Sequence, residues 1–89
     1  MPAYIVTFEV STTHKAAFID ALKSFSSYCP INATSWAITA NETKAVDVVN
    51  KLKLAAAPGD KIFVIRSGTD AAWINSYGIK NDDWLKQYL

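Results

Sequence analysis

Hydrophobic residues in this chain switch period twice, from two to about 3.6 and back, and that alternation limits the folds open to it. Tyr4, Val6, Phe8 and Val10 alternate with Ile5, Thr7 and Glu9, which predicts a strand over Tyr4–Val10 with its more apolar face turned inward. Ser11-Thr12-Thr13 then supplies N-cap residues for a helix from about His14 to Ser26. Phe18, Ala21, Leu22 and Phe25 form the stripe of that helix. Pro30 reads as its stop signal.

A second strand is expected over Ala33–Ala40, with Thr34, Trp36 and Ile38 on one face. Asn41-Glu42-Thr43 reads as a turn with a cap. A second helix from about Lys44 to Ala57 carries Ala45, Val48, Val49, Leu52 and Ala56 on its stripe. Pro58-Gly59-Asp60 is a turn, and Lys61–Ser67 reads as a strand. The unbroken run Ile62-Phe63-Val64-Ile65 predicts that this strand is central and buried on both faces. After a turn at Gly68-Thr69-Asp70, Ala72–Tyr77 is expected as a weaker edge strand. Asn81 then caps a short helix over Asp82–Tyr88.

The expected order β-α-β-α-β-β-α suits one sheet with two helices on one face. The class expected is α+β, a ferredoxin-like sandwich of the split βαβ kind with a short C-terminal helix, as one domain over residues 1–89. Eighty-nine residues with 51% hydrophobic and 19% charged content are enough for one core and too apolar for disorder. A domain of this size is marginal alone, which makes a homodimer plausible on physical grounds.

Charge and cysteine usage exclude several classes. A net charge of +1 gives no global basic field for nucleic acid or membrane. The single Cys29 rules out an internal disulfide and a cysteine metal cluster, and favours a reducing, cytoplasmic setting. Met1-Pro2-Ala3-Tyr4-Ile5 lacks the pattern of a signal peptide, and no apolar run reaches membrane-spanning length. Gly59, Gly68 and Gly78 stand too far apart for a phosphate loop.

Three segments carry a resemblance. They are Ala3-Tyr4-Ile5-Val6-Thr7-Phe8-Glu9-Val10, Ala33-Thr34-Ser35-Trp36-Ala37-Ile38 and Asn81-Asp82-Asp83-Trp84-Leu85-Lys86-Gln87-Tyr88-Leu89. Together they resemble short bacterial and phage proteins labelled SinR-like. These are similar in layout to small CRISPR-associated ferredoxin-like proteins of the spacer-integration complex and to VapD-type toxin ribonucleases. The CRISPR-associated family ends its first strand in Tyr-Asp-aliphatic, where the Asp is the proposed metal ligand beside a dimer axis. Phe8-Glu9-Val10 stands at that place here, so the resemblance implies Glu9 as a catalytic and metal-binding carboxylate. Magnesium or manganese would be the metal, shared by two copies of the chain. Glu9 lengthens the side chain by a methylene relative to the family's Asp, which displaces any shared ion.

Each candidate has a plainer alternative. Glu9 also fits a solvated strand-end glutamate paired with a lysine. His14 could act as an acid or base near neutrality, or be an ordinary first-turn histidine. Cys29 fits a half-buried structural thiol. Lys51, Lys53, Lys61 and Arg66 are the candidate contacts to RNA or DNA, diluted by Asp47 and Asp60. Trp73, Tyr77 and Trp84 are candidate dimer contacts, the first two on the expected edge strand. Three functions remain open at this level. They are a homodimer that binds nucleic acid or protein with little or no catalysis, a metal-dependent nuclease using Glu9, and a phage- or plasmid-encoded inhibitor of a host factor.

Overall fold

Period-two alternation builds the middle of the sheet. A computed structural model describes residues 1–41, 44–68 and 70–89. Its elements run β1 (Ala3–Glu9), α1 (Lys15–Lys23), β2 (Ser27–Asn32), β3 (Ser35–Thr39), α2 (Ala45–Leu52), β4 (Lys61–Arg66) and α3 (Ile79–Tyr88), with a 3-10 turn at Lys53–Ala55. The strands form one antiparallel sheet in the order β2-β3-β1-β4. The class is α+β, as expected. The turns read at 41–43 and 68–70 fall partly outside the described residues.

The sheet has two unlike faces. Tyr4, Val6 and Phe8 of β1 and Trp36 and Ile38 of β3 are buried with Phe18 and Leu22 of α1 and Val48 and Leu52 of α2. Both helical stripes read from the sequence therefore meet the sheet on one side. Phe8 and Phe18 pack with ring centroids 4.8 Å apart, which ties β1 to α1. On the other face, Leu85 of α3 packs on Cys29 and Ala37, flanked by Ile5, Ile31, Trp73 and Trp84.

Besides the helix caps, where His14 and Gly78 stand in the places read for Ser11-Thr12-Thr13 and Asn81, three expectations fail, each for a physical reason. Pro30 does not end a helix; it sits inside β2, a strand at the edge of the sheet, where a missing N–H costs no ladder bond. The short link from β2 to β3 is closed by Asn32, whose Oδ1 accepts from Thr34 N at 3.0 Å. Residues 72–77 form no strand. Asn75 there takes a left-handed φ of 55°, and Gly78, at φ 138°, leads into α3. Finally, β4 is not central. It is the outer strand next to β1, so Phe63 and Ile65 are 63% and 53% exposed.

Candidate functional site

Glu9 closes β1 on the face away from α1 and α2, and it is exposed. Its cross-strand partner is Lys61. A cation opposite the carboxylate matches the plainer reading of Glu9 as a strand-end glutamate beside a lysine. No group of three His, Cys, Asp or Glu that could hold a metal ion occurs among the described residues.

His14 precedes the first turn of α1. Its Nδ1 lies 3.1 Å from Ser11 Oγ and 3.1 Å from Thr13 Oγ1, so the ring is engaged by its own N-terminal loop. Asp60 does not complete a triad with this pair. Its two oxygens accept the backbone N–H groups of Ser11, at 3.0 Å, and Ala57, at 2.7 Å. That carboxylate ties the entry of α1 to the entry of β4.

The basic candidates are dispersed. Lys61 and Arg66 stand at opposite ends of β4 and, by alternation, on opposite faces. Lys51 lies over the Phe25 ring, 6.0 Å from its centroid, on the helical side. Lys53 is exposed in the 3-10 turn.

Two of the three aromatic candidates are anchored within the chain. Trp84 Nε1 donates to Ser27 Oγ at 3.2 Å, and Ser27 Oγ also bonds Thr39 Oγ1 at 2.5 Å. Trp73 Nε1 donates to Asp82 Oδ1 at 3.0 Å, and Ser76 Oγ donates to the same oxygen at 2.6 Å. These bonds hold the Asp82 carboxyl below its ordinary range, chiefly the Ser76 bond and then the Trp73 bond. Tyr77 is exposed. Around this loop an open hollow of about 640 Å³ is lined by Trp73, Ile74, Ser76, Ile79, Asp82 and Lys86. Burial under α3 pushes the Cys29 thiol up, which favours its protonated form.

The residues that the sequence reading missed lie on β4. Phe63 stands opposite Thr7, and Ile65 opposite Ile5, on the half of the sheet that α3 leaves bare. Ile62 and Val64 of the same strand pack into the helical core. The signal was present in the run 62–65, which is apolar on both faces while only one face has a helix to cover it.

Comparison with known protein families, with curated proteins and with solved structures gave no match. No helix among the described residues is long and apolar enough to cross a membrane.

Proposed function

We propose that the chain is a homodimeric ferredoxin-like protein that acts by binding a protein, with the bare β1–β4 half of its sheet as the working surface. The order β-α-β-β-α-β with strand order β2-β3-β1-β4, and both crossing helices on one face, supports the ferredoxin-like topology. The observation that carries the binding reading is the exposure of Phe63 and Ile65 side by side on one face of β4. Adjacent large apolar side chains on an uncovered face are the mark of an interaction surface. Protein is favoured over RNA or DNA because Lys61 and Arg66 do not converge.

Sedimentation of the purified chain from micromolar to millimolar concentration tests the dimer. A reversible monomer–dimer equilibrium is expected, with the Phe63→Lys, Ile65→Lys double variant monomeric and, at a concentration where wild type is also monomeric, equally resistant to heat. A chain that stays monomeric throughout rejects the proposal. Metal-dependent nucleic-acid cleavage through Glu9 is the rival activity. Cleavage by wild type with magnesium or manganese, lost in Glu9→Ala, would replace the binding reading.

A further inference from the structure

The β1–β4 ladder decides which backbone groups of β4 are left over. Ser67 N donates to Ala3 O at 2.8 Å, one step beyond the Tyr4–Arg66 pair. In an antiparallel ladder, directly bonded pairs alternate with unbonded ones. Lys61, Phe63, Ile65 and Ser67 therefore turn their N–H and C=O groups towards β1. Ile62, Val64 and Arg66 turn theirs outward, where β4 is the last strand of the sheet.

The opposite edge is interrupted. Phe8 N donates to Thr34 O at 2.9 Å and Ala40 N to Pro2 O at 3.1 Å, so the even-numbered residues of β3 bond β1 and the odd-numbered ones face β2. Cys29, opposite Ala37, then faces β3, and Tyr28 and Pro30 face outward. Pro30 has no N–H to offer, and its carbonyl already accepts from Asn81 Nδ2 at 3.0 Å. An edge blunted in this way does not recruit another strand.

We infer that two copies of the chain join edge to edge along β4, antiparallel about a two-fold axis at Val64, to form one continuous sheet. This rests on the homodimer reading above and names its seam. The row of outward groups is self-complementary in this register. Val64 meets Val64 of the partner subunit, and Ile62 meets Arg66 of the partner subunit, so every outward N–H and C=O of the three residues is bonded. A shift of one residue sets outward groups against inward ones. A shift of two carries either Ile62 or Arg66 opposite a residue outside the strand. The same register places Phe63 across from the partner's Ile65 at an unbonded position, with Cα atoms about 4.5 Å apart. Both are among the large apolar side chains that the subunit leaves exposed, and they are the two that β4 presents on that face. Lys61 comes opposite the partner's Ser67, and no like charges oppose each other.

Cysteine cross-linking combined with sedimentation tests this seam. The Phe63→Cys, Ile65→Cys double variant is expected to oxidise to a covalent dimer. Phe63→Cys alone is not, because its two copies lie diagonally, roughly 8 Å apart at Cα from strand geometry, beyond disulfide reach. Wild type, with only the buried Cys29, is the blank. Arg66→Pro removes an N–H that the β1–β4 ladder does not use. It is expected to raise the dimer dissociation constant at least tenfold, with no change in melting temperature at a concentration where both proteins are monomeric. A dimer that neither cross-links in the double variant nor weakens in Arg66→Pro overturns this seam and leaves the homodimer reading standing. A chain that is monomeric at every concentration overturns both.

Discussion

The two flanks of the sheet are finished differently. At the β2 flank, α3 lies across the face, Trp84 and Asn81 bond to β2, and Pro30 interrupts the edge. At the β4 flank Phe63 and Ile65 are exposed, and among the described residues the outward backbone of Ile62, Val64 and Arg66 faces no strand. Both flanks carry apolar side chains, Tyr28, Cys29 and Ile31 on β2 and Ile62, Phe63, Val64 and Ile65 on β4. What separates them is whether the chain itself supplies the cover. A small domain with one helix to spare can close only half of its second face. In the dimer proposed above, the half left open becomes the seam. That seam also sets the Glu9 residues of the two subunits roughly 25 Å apart by strand geometry, too far to share a metal ion.

The comparison breaks most sharply under truncation. Leu85 is 3% exposed and packs on Cys29 and Ala37 at the closed flank. Leu85→Ala is expected to cost about 3 kcal/mol in chemical denaturation, a large share of the stability of a small domain. Phe63→Ala at the open flank, measured at a concentration where the chain is monomeric, should change stability by no more than about 0.5 kcal/mol. Loosening α3 should also speed alkylation of Cys29. Equal losses from the two truncations would mean that the flanks do not differ as described.

A smaller effect follows from reopening the closed edge. Pro30→Val restores an outward N–H, and Asn81→Ala frees the carbonyl beside it. A chain with two open edges can associate through both and no longer closes as a dimer. Light scattering should show species larger than a dimer that grow with concentration, absent from wild type. A double variant that remains dimeric would show that Pro30 and Asn81 are not what blunts β2.

The helical core was legible because Phe18 and Leu22, and Val48 and Leu52, repeat at helical spacing wherever they are placed. β2 was hidden by Pro30, which stops a helix and is equally at home on a strand edge. Local pattern does not distinguish those two uses; only the neighbour β3 does. β4 was misplaced because a run buried on both faces and a run left bare on one face read alike. Residues 72–77 carry strand-forming aromatics, yet Trp73 and Ser76 are held by Asp82, a tertiary partner that no periodicity reveals. Glu9, Lys61 and Arg66 were visible as charges. Their separation depends on register, which needs the fold.

The smallest effect is a pH dependence confined to the closed flank. Ser76 Oγ and Trp73 Nε1 both donate to Asp82 Oδ1, and Lys86 one turn along α3 adds a favourable charge; partial desolvation opposes them. Cys29 of β2 is the other titratable group coupled to Asp82, and it stays neutral through the acid range. A carboxyl whose folded pKa lies below its unfolded value of about 3.9 adds stability above that value. That stability is lost as pH falls through the folded pKa. Neutral and mildly acidic solutions should therefore leave the 73–78 loop in place, and stronger acid should release it. Tryptophan fluorescence followed through an acid titration reads this at Trp73. Wild type should show a step that Asp82→Asn lacks, while the variant at neutral pH should already resemble acidified wild type. Identical titrations of the two proteins would show that Asp82 does not hold the loop, and the closed flank would then rest on Leu85, Trp84 and Asn81 alone.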